Sequence, residues 1–378
     1  MPAFLIIGAA NFYGRALVEQ LCAERPDDGS WEIRGVDKVL PQLASFPGDV
    51  LALYATIDYR MGNLRCAAFL AQAFARDDGR AWDFVFNFGA EQKFGQAAHV
   101  YDQDVRQLAA RVAELSRGAR VLVHLSTALV FSGGANANAN AACAEDAAAD
   151  APGALARSHA DAEASARAAG VPAVVLRPAL CYGPGDRQNA APMLIMGQLS
   201  RAGGSAMPVL WDRGLRISTV HVADVARAAL AAGRWQQARA GAAVFNVADG
   251  GDTTNGQLAQ AVGALFGVEP SFQNVAVNFM AKRLGSAELA EEVNQSLLGP
   301  WMDLLAEHGV ANSPLSPYMD PEHPYCRLEA QPRGVDGSLI TRTPGLRFAY
   351  QHPRVSPEAL RPVVEEFQRV GLWPAIPI

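Results

Sequence analysis

Through the first half of the chain, apolar residues come in short unbroken runs, and between the runs they recur every three or four positions. The runs AFLIIG (3–8), WEIRGVD (31–37), TIDYRMG (56–62), WDFVFNF (82–88), RVLVHLS (120–126) and AVVLRPA (173–179) have the length and the β-branched and aromatic content of strands. After the first run, Leu17, Val18 and Leu21 share one helical face, and a second helical pattern over residues 100–117 precedes the fifth run. Strands alternating with helices predict an α/β fold, a doubly wound parallel sheet of the Rossmann type with crossover helices.

The pattern loosens further along. Residues 133–151, GGANANANAACAEDAAADA, are low in complexity and predict a mobile loop before an Ala-rich helix ending near Gly170. After residue 180 come a turn at YGPGDRQ, a helix, then RISTVHVADVARAAL; from 270 onward turns and short helices dominate, and LRPVVEEFQRVGL closes as an amphipathic helix. The division expected is a nucleotide-binding domain over 1–180, rejoined by segments around 215–250, and a smaller substrate lobe over most of 181–378.

Composition narrows the function classes. Half the residues are apolar, 19% are charged, and the net charge is −6, which gives no general basic field for nucleic acid or an anionic membrane. No apolar run is long enough to span a bilayer, and MPAFLIIGAANFYG lacks the basic segment of a signal peptide, so the expectation is a soluble cytoplasmic protein. The five cysteines (22, 66, 143, 181 and 326) contain no C-x-x-C pair and read as small buried hydrophobes in a reducing compartment, with no disulfide frame and no metal site. Only three lysines occur, Lys38, Lys93 and Lys282.

GAANFYG (8–14) joins the first strand to the first helix. Gly8 and Gly14 allow the backbone to turn sharply and approach a pyrophosphate, which the helix N-terminus favours. Asn11 replaces the middle glycine, and Asn tolerates positive φ better than most residues. A plain strand–helix turn is the competing reading. Asp37, ending the second strand, is placed to accept from ribose hydroxyls and to repel a 2′-phosphate, which favours NAD over NADP; Lys38 softens that preference. Asn63, in GNL (62–64), ends the third strand where a small polar side chain reaches an adenine amine.

With FNFGAEQ after strand four, HLSTALVFSG after strand five, LRPALCYGPGD after strand six and STVHVADVARA beyond, the chain resembles the extended short-chain dehydrogenase/reductases, the NAD-dependent epimerase/dehydratase group, over roughly residues 3–250. It is similar in particular to a branch with VDKVLPQ after strand two, LRISTVHV, and SPLSPYMDP near the end. The resemblance implies an NAD site built from Gly8, Asn11, Phe12, Tyr13, Gly14, Asp37, Lys38, Asn63 and Leu64, continued by Phe88, Gly89, Ala90, Leu125, His159 and Pro178. It also implies a C-terminal lobe enclosing a substrate, and a Ser or Thr, a Tyr and a Lys four residues later as catalytic groups.

Thr127 matches the family hydroxyl, with strand-end backbone capping as the competing role. ARSHADAE aligns with the family's tyrosine helix and puts Leu155 at the Tyr position and His159 at the Lys position. None of the eight tyrosines has Lys four residues later, so the usual proton relay is absent. His159 is a competent acid or base, although a His on an Ala-rich helix is usually just solvated. Glu91 and Lys93, in GAEQKFGQ, follow strand four at the sheet's carboxyl edge; Lys93 is expected to replace the lost proton carrier and Glu91 to orient it, against the reading of a surface ion pair. Ser126, Tyr182 and Arg216 are candidates around the substrate, and His221 is expected to orient the turn before Asp224.

Three functions fit these features. One is an NAD-dependent oxidoreductase or epimerase-like enzyme with a rearranged acid/base set, acting on a small molecule. Another is a non-redox isomerase, dehydratase or cyclase, and the third a non-catalytic NAD-binding sensor or scaffold. Val105, Leu108 and Val112 suit a homodimer contact and equally suit packing on the sheet.

Overall fold

The computed structural model describes residues 1–27, 29–131, 142–149, 153–272, 275–321, 323–326 and 334–378, without the side chains of 275–287, 289, 290 and 293. The six apolar runs form β1 (Ala3–Ile7), β2 (Glu32–Asp37), β3 (Asp58–Met61), β4 (Phe84–Asn87), β5 (Val121–Leu125) and β6 (Ala173–Pro178). A further strand, β7 (Ala242–Val247), pairs with β6, giving one parallel sheet in the order β7-β6-β5-β4-β1-β2-β3. This is the doubly wound α/β architecture. The central strands are mostly apolar because helices cover both faces, and β1, β5 and β6 are buried at every position. The chain reverses direction across the sheet between β1 and β4, where the carboxyl edge opens a crevice.

The helix Phe12–Glu24 buries Leu17, Val18 and Leu21 and packs beside Val222–Gln236 on one face. The second helical pattern is Ala98–Tyr101 and Leu108–Leu115 joined by a π-helical segment, Asp102–Gln107. Widening the helix there frees the Asp104 carbonyl, which accepts from the Glu91 backbone N–H at 3.3 Å. Val105, Leu108 and Val112 are buried within this chain, so they pack inward and offer no face to a partner. The Ala-rich helix is Ala154–Arg167. Of the loop expected over 133–151, residues 133–141 and 150–151 lie outside the described residues.

The C-terminal lobe has its own core, in which Met193, Met196, Met207 and Trp211 pack with Trp301 and Trp373. The closing helix Pro357–Arg369 turns Leu360, Val363, Val364 and Phe367 inward. The cysteines depart from the expectation of uniform burial. Cys181 and Cys326 are buried, Cys66 is exposed, and Cys22 and Cys143 are half-buried. No helix among the described residues is long and apolar enough to cross a membrane.

Candidate active site

At the carboxyl edge, β1 runs into the first helix through a tight turn. Gly8 has φ +84°, and a Cβ there would lie 2.5 Å from the Gly89 Cα; a Cβ on Gly14 would lie 1.9 Å from the Gly8 carbonyl oxygen. Only glycine fits at either place. Asn11 keeps an extended backbone, with φ −82°, and caps the helix instead of serving as a left-handed turn residue. Its Oδ1 accepts from Gly14 N at 2.9 Å and its Nδ2 donates to the Phe88 carbonyl at 2.5 Å, stitching β1 to β4.

Asp37 is buried at the end of β2. Its carboxylate accepts from Ala10 N at 3.0 Å and from Val39 N at 3.2 Å. Burial pushes its pKa up, against these backbone N–H groups and Lys38, which pull it down. Ala10, Asn11, Phe12, Asp37, Lys38, Leu64, Gly89 and Ala90 line an open groove of about 830 Å³, whose far wall comes from the C-terminal lobe through Arg187, Tyr318, Glu366 and Phe367. Glycines closing on backbone, a capped helix N-terminus and an acid ending β2 are features that fit a dinucleotide.

A smaller cavity of about 70 Å³ lies beside this groove and shares Gln92, Phe94, Gln188 and Asn189 with it as a common wall. Tyr13, Ser126, Thr127, Leu155, His159 and Pro178 also line it. Thr127 Oγ1 accepts from Leu129 N at 3.2 Å, which leaves its O–H free to donate. His159 is buried, not solvated. Burial, reinforced by neighbouring His124, lowers its pKa to about 3, so the ring is neutral at physiological pH. Tyr13 has its pKa raised well above the ordinary value, chiefly by burial and then by Cys181, so its phenol stays protonated.

The sequence matches the family described as the NAD dependent epimerase/dehydratase family over residues 4–248. The chain belongs to that family. Among solved structures, the dTDP-glucose 4,6-dehydratase DesIV of Streptomyces venezuelae, with NAD and TYD bound, is similar at 18% identity with a TM-score of 0.65, over 98% of each chain. The UDP-glucuronic acid 4-epimerase of Bacillus cereus in complex with NAD is similar at 18% identity and a TM-score of 0.58, over 72% of this chain and 87% of that one. A dTDP-glucose 4,6-dehydratase of Bacillus anthracis, in complex with NAD, shares 19% identity at a TM-score of 0.58, over 72% and 86%. These likenesses establish the fold. No curated protein matches the sequence.

For a member of the epimerase/dehydratase family, an NAD-dependent enzyme family, the placement of the expected residues is uneven. Thr127 and His159 share the inner cavity with Leu155, but Lys93 and Glu91 do not join them. Both line the outer groove, where Glu91 pairs with Lys38 at 3.3 Å and accepts the backbone N–H of Lys93 at 3.1 Å. The expected Glu91–Lys93 side-chain pair gives way to Lys38 because Glu91 turns back along its own loop to meet the end of β2. Lys93 is exposed, while its neighbours Gln92 and Phe94 face the cavity.

The remaining substrate candidates are engaged structurally. Ser126 Oγ donates to Glu163 at 2.6 Å although its residue lines the cavity. Tyr182 donates to the Arg354 carbonyl at 3.3 Å, and Arg216 pairs with Asp252 at 3.6 Å; neither lines the groove or the inner cavity. Asn63 Oδ1 accepts from Arg65 N at 2.9 Å, while Leu64 beside it lines the groove. Phe88 and Leu125 are buried behind the crevice. His221 caps the helix Val222–Gln236 through Nδ1 and Ala223 N, as its place before Asp224 suggested.

Sequence reading missed the supports behind the cavity. Arg177 on β6 holds Glu163 by two bonds of 2.8 and 2.6 Å, both residues fully inside the protein. On β4 and β5, Asn87 and His124 are register partners, with Asn87 Nδ2 and His124 Nδ1 3.1 Å apart. The signal was present: a lone polar residue in FNF, VHL or LRP, inside otherwise apolar strands, has to be partnered in the core.

Proposed function

We propose that this enzyme binds NAD in preference to NADP along the outer groove and acts on an alcohol or carbonyl carbon of a small molecule whose reacting end enters the inner cavity. The observation that carries this is the meeting of Thr127, His159 and Leu155 in a cavity that shares a wall with the groove ending at Asp37. Gly8, Asn11 and Gly14 would hold the pyrophosphate, and Asp37 would receive the ribose hydroxyls. Bound there, NAD supplies a ring able to accept or return a hydride.

The protein's own groups divide the remaining work. Thr127 donates its free O–H to a substrate oxygen. Neutral His159 supplies a second polar contact, and the Tyr13 hydroxyl a third, on the side of the nucleotide turn. Phe94, Leu129, Leu155 and Ile217 keep the cavity largely apolar and exclude water from the reacting end. Lys93 lines the outer groove and stands outside this cavity.

Leu155 supports a second reading. With an alkyl group where the family carries its tyrosine, hydride transfer to a carbonyl lacks its usual proton donor, which favours a reaction without net redox change: an isomerisation, dehydration or cyclisation. Calorimetric titration of the purified protein with NAD⁺, NADH and NADP⁺ tests the common element. Micromolar binding of NAD(H), weaker for NADP⁺, is expected; no binding of any of them sinks both readings.

A further inference from the structure

The inner cavity, at about 70 Å³, is far below the roughly 300 Å³ at which small-molecule sites begin. The groove beside it, at about 830 Å³, has the room. A reacting group therefore has to come through whatever divides the two spaces. Gln92, Phe94, Gln188 and Asn189 border both, and of two consecutive residues further on, His323 faces the groove and Pro324 the cavity. The partition has three pieces: the loop after β4, the loop of residues 186–190, and a strap of residues 313–321 and 323–326.

Two of the pieces are anchored independently. The buried Asp186 carboxylate accepts from the N–H groups of Gln188, Asn189 and Ala190 at 3.1, 2.8 and 2.7 Å, which fixes the middle loop. Trp301 Nε1 donates to the Leu315 carbonyl at 3.0 Å, and Asn294 holds the C=O and N–H of Met319 at 3.1 and 2.8 Å. Trp211 Nε1 donates to the Tyr325 carbonyl at 2.9 Å, so the strap is tied on either side of His323. His323 joins strap to loop. Its Nε2 lies 3.0 Å from the Gln188 carbonyl oxygen and 3.1 Å from that of Asn189. Carbonyl oxygens only accept, so Nε2 carries the proton and shares it between them. Nδ1 accepts from Tyr325 N at 3.1 Å, which completes the neutral tautomer. The third piece meets the same join: the Phe94 ring stands edge-on to His323 at 5.3 Å, and Gln188 Nε2 donates to the Gln92 carbonyl at 2.8 Å.

We propose that His323 is the positioning residue of this partition: its Nε2–H latches the strap to the Gln188–Asn189 loop, keeps the inner cavity shut from the groove, and admits a reacting group when that bond yields. The other anchors hold strap and loop in place while the latch is released, so the opening is local. A neutral hydrogen bond has modest net worth, which lets it break and re-form without unfolding either side. Closed, the latch sets Gln188 and Asn189 against whatever occupies the cavity. What passes through rests on the functional reading above; the latch itself does not.

Cys181 reports the state of the cavity, because it lines that space and is otherwise buried. Full-length protein is treated with methyl methanethiosulfonate, and modification of each cysteine is followed by peptide mass spectrometry. His323→Gln keeps an N–H near the place of Nε2 and loses the acceptor for Tyr325 N. His323→Asn keeps that acceptor and loses the reach to the two carbonyls. The Asn variant is expected to raise the Cys181 rate about tenfold, and the Gln variant to stay within about threefold of wild type. Cys22, half-buried on the first helix, is expected to react at the wild-type rate in both, which separates a latch from general loosening. His323→Phe, lacking both polar edges, is expected to match Asn and keeps the test open if that variant does not fold. Cys181 equally slow in every variant, Gln as fast as Asn, or Cys22 rising together with Cys181 overturns the latch. The expected ranking in a protein that binds no nicotinamide dinucleotide upholds the latch and sinks the functional reading.

Discussion

Arg15, in the first turn of the nucleotide helix, and Glu366, in the closing helix, meet through two parallel hydrogen bonds of 2.6 Å, with both side chains only 5% exposed. Glu19 takes the Arg15 Nε at 2.8 Å, and these partners raise the guanidinium pKa above its ordinary value despite burial. The pair ties one wall of the outer groove to the other.

Breaking it from one side strands a charge. Glu366→Gln is expected to cost about 3 kcal/mol, the low end for a broken buried pair because Glu19 still holds Nε. Replacing both, Arg15→Met with Glu366→Leu, is expected to recover most of that loss. Urea denaturation midpoints of wild type and the two variants check this; a Glu366→Gln protein as stable as wild type refutes it.

The proposed preference for NAD rests on Asp37. Asp37→Ser removes the charge opposing a 2′-phosphate while retaining a small acceptor near Ala10 N. NAD⁺ is expected to bind about tenfold more weakly, near 1.4 kcal/mol, and NADP⁺ to gain correspondingly. Titrating both dinucleotides against both proteins measures the change, and an unaltered NAD⁺/NADP⁺ ratio assigns Asp37 a purely structural role.

Thr127 and Lys93 separate the inner cavity from the outer groove. Thr127→Val keeps the shape and removes the donor, and is expected to lower kcat by about 10²-fold once a substrate is found. Lys93→Ala, on the exposed side of its loop, is expected to leave kcat within about threefold. Steady-state kinetics decide; the reverse ranking would return the proton to Lys93.

Acid should destabilise the protein in a defined window. Burial depresses His159 to about 3 and His124, His221 and His323 to about 4, below the ordinary value of 6.5. Between those values the unfolded chain binds more protons, so stability is full above 6.5 and is lost as pH falls towards 4, by about 1.4 kcal/mol per pH unit for each histidine. Asp186 and Asp249, raised to about 6 by burial, act in the opposite sense between 3.8 and 6 and offset part of this. Denaturation midpoints are expected to fall throughout from pH 7 to 4.5, because the four histidines outweigh the two carboxyls.

The order of strands along the chain and the glycine turn were legible in sequence because each is a local pattern. Unbroken apolar runs mark buried parallel strands, and a fixed spacing places a residue on a helix face. AAVFNV, which forms β7, is as apolar as the others, but it follows a long helix in a region whose pattern had loosened, and only pairing with β6 distinguishes it. The misplacement of Lys93 has a different cause. Sequence shows that residues 91–96 form the loop after β4, but not that Gln92 and Phe94 turn inward while Lys93 turns out. The Asn87–His124 contact depends on strand register, which appears only once β4 and β5 are paired.

The contact between Arg15 and Glu366 joins residues 351 positions apart. Closing so long a loop is slow, and no local structure rewards it until both ends are built. The groove that Gly8 and Asn11 open early in the chain therefore gains its second wall only when the last helix docks. Refolding should show this as a lag: sheet formation first, and competence to hold a dinucleotide afterwards, at the rate of that final docking.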